Sequence, residues 1–335
     1  MIQGLFSVDE VAAMINNGDS LLLAGDATLL KSLPKGKWIA GVTGRFIENG
    51  KDIVTTREKI FVHSMTGIAA DVKFEIYDAS NIKNIYDDAF DHGFSVLIMP
   101  LDSEVANEYA INCINYSNFA CRAVCGWYSI SQYFEKYEGN DVSLVFSGES
   151  GLSYVNAGVV MHIALPPEKY AEIHTFSPFV PESDDVLVFE ETGRQVEYVL
   201  VNGVRQSFRQ YLIDQKFERS LEACNGVLSG DYAGIIINTG VFPESEYDQE
   251  KYVSLAGVAL KDIQYRIAKL DSDNSYITTK KFDGEIVFSF SCITNCMHQD
   301  IFLKYLAHTN GPFVYGEIAY FYLNYSTVYV TVGNS

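Results

Sequence analysis

Tyr154-Val155-Asn156-Ala157-Gly158-Val159-Val160-Met161-His162-Ile163-Ala164-Leu165-Pro166-Pro167 is the stretch on which the reading of the fold turns. Its β-branched and apolar side chains suit a pleated, buried surface. The two prolines then remove the N–H donors that a ladder needs, so a long strand is predicted over 154–165, halted at Pro166. On its N-terminal side, short β-type runs alternate with helical stretches. On its C-terminal side, strands dominate.

Toward the N-terminus, strands are predicted at 21–23, 37–42, 59–62, 72–77 and 94–99, most bounded by Gly, Asp or Pro. Ser7 with Glu10 three residues later reads as a capping box that opens a helix through Met14. Residues 103–116 place Val105, Tyr109, Ile111 and Ile114 near a 3.6 period, which predicts a helix. A second is predicted over 129–137.

Toward the C-terminus, strands are predicted at 186–189 and 197–201. The Asn202-Gly203 pair that follows is a turn signal. A helix over 207–217 carries Phe208, Tyr211 and Leu212 on one face. Further strands are expected at 232–238, 252–260, 264–268, 285–292, 312–322 and 327–332, and a last helix over 298–307. Strands and helices mix without a βαβ rhythm. The expected class is α+β, with two strand-rich halves of mixed or antiparallel sheets flanked by helices. Pro166, Pro167, Pro178 and Pro181 crowd the stretch 167–183, so a crossing is placed there, giving domains 1–166 and 167–335.

The chain of 335 residues carries 24 Lys and Arg against 43 Asp and Glu, a net charge of −19. Such a chain repels polyphosphates, which argues against nucleic acid as a partner. Anionic membranes are disfavoured for the same reason. The apolar runs fall short of the roughly 20 residues that a bilayer needs. The start lacks a basic segment followed by a long apolar one, so no secretory leader is expected. Six cysteines (Cys113, Cys121, Cys125, Cys224, Cys292 and Cys296) are too few for a disulfide framework. A cytoplasmic location follows as the expectation.

No Walker A sequence, dinucleotide-binding GxGxxG or HExxH is present. Gly148-Glu149-Ser150 starts like a nucleophile elbow, but Leu152 stands where its final glycine belongs, so a loop between strands is predicted. Cys121 and Cys125, like Cys292 and Cys296, have a spacing that structural zinc sites tolerate. The pairs lie far apart, and free cysteine usually behaves as a small buried hydrophobe, so no metal site is assigned. His162 reads first as a core histidine and second as a ligand to a metal or haem iron. Cys292 follows an apolar strand and precedes the polar turn Thr294-Asn295, the setting of a candidate reactive thiol. In Gly311-Pro312-Phe313-Val314-Tyr315-Gly316-Glu317-Ile318-Ala319-Tyr320, Gly316 permits a bulge. A kink there exposes Glu317, either as a surface charge or as an acceptor for a ligand cation.

Three ordered pieces of the C-terminal half resemble the FIST sensory domain. They are Tyr198 through Gly203 leading into a helix with Tyr211-Leu212, then Ile286 through Cys292, and then Gly311 through Ala319 followed by Asn324 and Thr327. Trp38 through Gly44 is similar to a turn early in the N-terminal domain of that family. The resemblance implies a cytoplasmic sensor for a small ligand, such as an amino acid, and a pocket between the halves is expected because inter-domain clefts are common ligand sites. It also implies histidine kinases or cyclic-dinucleotide enzymes as partners. Some FIST relatives bind haem, so haem stays open as a cofactor with no ligand residue carried over. The ligand-binding candidates are Thr43, Arg45, Cys292, Asn295, Tyr315, Gly316, Glu317 and Asn324. The alternatives are an enzyme with Cys292 as nucleophile and Glu317 or His162 as base, and an interaction protein without a ligand.

Overall fold

Sheets built on sheets, rather than sheets flanked by helices, form the interior of this chain. The computed structural model describes residues 2–130, 143–217, 226–242, 251–271, 282–297, 306 and 308–334. Strands take 49% of the residues and helices 14%, so the expected α+β class is corrected to a mostly-β architecture of four sheets. The physical reason is helix length: among the described residues no helix exceeds nine residues. Helices that short bury little surface and cannot form a layer of their own. The capping box at Ser7 is present, with Ser7 N–H donating to Glu10 at 2.8 Å. The helix expected at 103–116 covers Glu104–Asn112. Most of the helices expected at 129–137 and 298–307 lies outside the described residues.

The first sheet runs Gln3–Phe6, Ile60–Ser64, Leu21–Gly25, Trp38–Val42, Val145–Ser147, Leu152–Tyr154. The second runs Phe321–Leu323, Glu317–Ala319, Ala123–Ser129, Gly93–Pro100, Gly158–Ala164, Asp71–Tyr77. The third runs Lys169–Phe176, Thr327–Asn334, Glu285–Cys292, Gly311–Val314, Arg45–Glu48, Asp52–Thr55. Each of these sheets has one parallel pair among antiparallel neighbours. The fourth has nine strands, with Gly193–Val196 at its edge beside Val253–Ala259, and contains the hairpin Tyr198–Val201/Val204–Ser207. The predicted Asn202-Gly203 turn makes that hairpin, with both residues at positive φ (50° and 84°) as a tight two-residue turn requires.

The second and third sheets draw strands from both sides of Pro166. The proline-spaced stretch 167–183 holds the eight-residue strand Lys169–Phe176, paired with Thr327–Asn334 along its whole length. The sheets meet at aromatic contacts. Trp127 of the second sheet packs on Phe288 and Phe290 of the third, each at 5.8 Å between ring centroids. Phe61 of the first stacks on Phe46 of the third at 5.6 Å. Tyr232 of the fourth meets Phe321 of the second at 5.3 Å. Burial of such large rings supplies the main drive for the assembly.

Candidate functional site

The run expected as one strand over 312–322 is broken into Gly311–Val314, Glu317–Ala319 and Phe321–Leu323. Gly316 makes the first break. Its φ is 154°, and a Cβ there would lie 2.4 Å from the Tyr322 ring, so only glycine fits. Its carbonyl accepts the Tyr128 N–H at 3.0 Å. Tyr320 makes the second break at φ 67°, in a one-residue reversal between Ala319 and Phe321. That conformation is held by two distant hydroxyls: Tyr86 and Tyr109 donate to the Tyr320 carbonyl at 2.9 and 2.7 Å.

Between these breaks, Glu317 points inward and is fully buried, in place of the exposed position expected at a kink. One carboxylate oxygen, Oε2, accepts the Ser326 N–H at 3.1 Å, while Oε1 has no geometrically sound hydrogen bond. The Cys292 thiol interacts with the same carboxyl. Ser326 also accepts the Cys292 N–H at 2.9 Å, so one residue ties the two together. Thr294 donates to the Cys292 sulfur at 3.0 Å. Asn295 donates to Ser291 at 2.9 Å and to Thr327 at 3.3 Å, leaving its Oδ1 unpaired. Asn324 donates to the Tyr322 hydroxyl at 3.0 Å, and its Oδ1 is unpaired too. Gly257 lies against that oxygen so closely that a Cβ would approach it to 2.4 Å.

Burial governs the charge state here. It pushes the Glu317 carboxyl well above the usual carboxylate range, against the opposing hydrogen bonds of Ser326 and Cys292. Burial, and then Glu317, push the Cys292 thiol up as well. Tyr322 is raised to about 12, mainly by burial. Burial thus favours the uncharged acid and the uncharged thiol.

Of the sequence candidates, Cys292, Gly316, Glu317 and Asn324 thus gather around Ser326 and Tyr322, while Asn295 bonds to Ser291 and Thr327 next to them in sequence. Thr43 and Arg45 do not join them. Thr43 donates to the Phe313 carbonyl at 2.8 Å, and Arg45 contacts the Cys296 sulfur at 3.9 Å. Tyr315 packs with Cys296 in a separate apolar group beside the helix Ile293–Met297. His162, the alternative base, belongs to the second sheet. Its Nδ1 lies 2.7 Å from Ser95 Oγ and its Nε2 3.3 Å from the Tyr77 hydroxyl, which donates to Asp88 at 2.9 Å.

Two residues beside the cluster had no distinguishing mark in the sequence. Arg194, on the edge strand of the fourth sheet, lies over the Tyr322 ring at 5.3 Å. Tyr128 meets Tyr322 edge-on at 4.6 Å, and its buried hydroxyl has no partner. Gly193 and Gln195, which flank Arg194, wall an open cleft of about 410 Å³ with Tyr198, Arg205 and Tyr252. A second cleft of about 500 Å³ lies by Lys216 and Ile267. Neither wall includes a histidine or cysteine, and the first includes Tyr198 and Tyr252. Among the described residues no group of three or more His, Cys, Asp or Glu is placed to hold a metal, and no helix is long and apolar enough to cross a membrane.

The model of a family of unknown function, DUF6976, matches residues 6–333. That match corrects the resemblance to FIST domains: the family covering the chain is a different one, and no FIST domain is found in it. The physical reason is that the shared pieces are generic devices. Asn-Gly makes hairpins, an apolar run makes a strand, and a glycine before a polar residue makes a break in one. No curated protein and no solved structure matches the chain.

Proposed function

The chain belongs to DUF6976, a family of unknown function, and from its interior we propose that it is a receptor-like protein that binds a small polar molecule at the Glu317 cluster. The observation that carries this reading is Glu317 itself. It is an acid with no accessible surface and an Oε1 without a geometrically sound hydrogen bond, and Asn324, bonded to Tyr322, adds a further unpaired buried acceptor. Each unmet buried polar atom costs roughly 1–3 kcal/mol, so such a concentration is unusual unless something completes it. The free thiols at Cys113, Cys121, Cys125, Cys292 and Cys296 suit a reducing, cytoplasmic setting. The edge strand Gly193–Val196 separates the cluster from the open cleft, so a change at Arg194 has a one-strand path to a surface that a partner protein can read.

A cysteine-dependent enzyme is the second reading, favoured by the contact between Cys292 and Glu317. It is the weaker one, because a reactive cysteine needs a stabilised thiolate and this thiol is pushed the other way. Native mass spectrometry of the purified chain tests the receptor reading. A co-purifying small molecule, lost in Glu317→Ala but kept in a surface variant such as Glu58→Ala, is the expected result. A chain that carries no adduct, and whose melting temperature no metabolite panel shifts, refutes it.

A further inference from the structure

Arg194 presents a specific edge to the interior. Its Nε and Nη2 are both buried and both lack a hydrogen-bond partner. These two N–H groups lie side by side on the guanidinium and form the fork that a carboxylate accepts in two parallel bonds. The Tyr128 hydroxyl, on a residue 1% exposed, is buried and unpaired as well, and the Arg194 charge acts on both Tyr128 and Tyr322. The chain has 43 carboxylate side chains, yet among the described residues none pairs with this fork. Arg194 is half-buried, but two N–H groups sealed from water without an acceptor are costly, and the Tyr322 face offsets only part of that cost.

On the reading that the cluster binds a small molecule, we propose that its ligand carries a carboxylate, held by the Nε/Nη2 fork of Arg194 and the hydroxyl of Tyr128. One planar fork and one hydroxyl match a monoanion with two coplanar oxygens. A phosphate dianion needs more positive charge than a single arginine supplies. Burial favours the uncharged form of Glu317, and that form does not repel the incoming anion. Because both nitrogens are sealed from solvent, access requires the strand Gly193–Val196 to move. The sheet permits this: among the described residues the strand is an edge paired only with Val253–Ala259, and the register is broken between Gly193 and Gln195, at Arg194.

The test is thermal shift on the whole chain with monocarboxylates from acetate to benzoate, their neutral amides, and inorganic phosphate. The expected result is a melting temperature raised by at least one carboxylate and by neither its amide nor phosphate. Arg194→Gln should weaken that carboxylate about tenfold or more, as expected for a lost charged pair, and Tyr128→Phe should weaken it less. Arg194→Met should melt higher than the wild type without ligand, which guards against a mere folding defect. A carboxylate that binds Arg194→Gln as well as the wild type overturns the proposal. So does a co-purified ligand without a carboxylate, which leaves the receptor reading intact. No binding of any carboxylate by the wild type overturns it too, while the receptor reading then stands or falls on the native mass spectrum and the metabolite panel.

Discussion

Cys292 and Glu317 are joined through the backbone of Ser326, which accepts the N–H of Cys292 at 2.9 Å and gives its own N–H to the carboxyl of Glu317 at 3.1 Å. The thiol and the acid are thus fixed relative to one another by main chain. Burial then decides what each can do.

The first expectation concerns pH. The Glu317 pKa is raised in the folded chain above its unfolded value of about 4.3. Between those values the folded state holds the extra proton, so stability falls as pH rises. The contribution is whole below about pH 4.3 and is lost as pH climbs toward the raised folded value. Glu317→Gln keeps the neutral shape and removes the titration. Its denaturation midpoint should decline less than the wild type's between pH 6 and 9. Parallel declines would show that Glu317 is already ionised.

Histidine gives the opposite limb. His63 is fully buried, both its ring nitrogens lack partners, and burial lowers its pKa to about 3. His162 is lowered to about 4, by burial first and Lys73 second. The unfolded chain binds protons near 6.5, so stability is lost as pH falls from about 6.5 toward 3 to 4. His63→Leu should flatten this acid limb, read as urea midpoints from pH 7 to 4. An unchanged slope would mean that His63 protonates freely in the folded state.

Backbone geometry makes a third case. Gly316→Ala forces a Cβ to within 2.4 Å of the Tyr322 ring at φ 154°, whereas Gly203→Ala meets no atom within 4 Å at φ 84°. The first should cost about 2–4 kcal/mol, and the second about 1 kcal/mol, from backbone strain alone. Chemical denaturation of both variants compares them directly. Equal losses would place the Gly316 kink elsewhere than against Tyr322.

Thiol chemistry supplies a fourth. Cys121 is exposed, while Cys113, Cys125 and Cys292 are buried with their thiols pushed up by burial. An aromatic disulfide reagent should modify Cys121 quickly in the native chain and these three only on unfolding. Peptide mapping identifies the sites. Rapid native labelling of Cys292 would revive the enzymatic reading.

Local signals were legible where the chain decides its own conformation. Ser7 with Glu10 and Asn202 with Gly203 acted as read, and the strand at 285–292 has the bounds expected of it. Features set by distant residues were not. Nothing near Tyr320 announces a reversal at φ 67°, because the hydroxyls that hold it come from Tyr86 and Tyr109. The strand Lys169–Phe176 hid among prolines because its support is the far-off strand Thr327–Asn334. In the cluster, Glu317 stood out in an apolar run and Cys292 by the polar turn Thr294-Asn295 after it, whereas Asn324 was singled out only by the resemblance to FIST domains. Arg194 reaches the cluster only through the packing of the fourth sheet on the second, and Tyr128 through the pairing of its strand with Glu317–Ala319. The helical layers of the expected α+β class failed because a 3.6 period over one or two turns does not make a long helix.

The pairing of Arg45–Glu48 with Gly311–Val314 has a consequence in time. A ribosome adding roughly 5–20 residues per second needs about 15–50 s to pass from one of these strands to the other. Through that interval the hairpin of residues 45–55 presents an unsatisfied ladder edge, a template for wrong partners in a crowded cell. Newborn chains should therefore lean on holdase chaperones more than their finished stability suggests, and slower elongation should lower the yield of soluble protein.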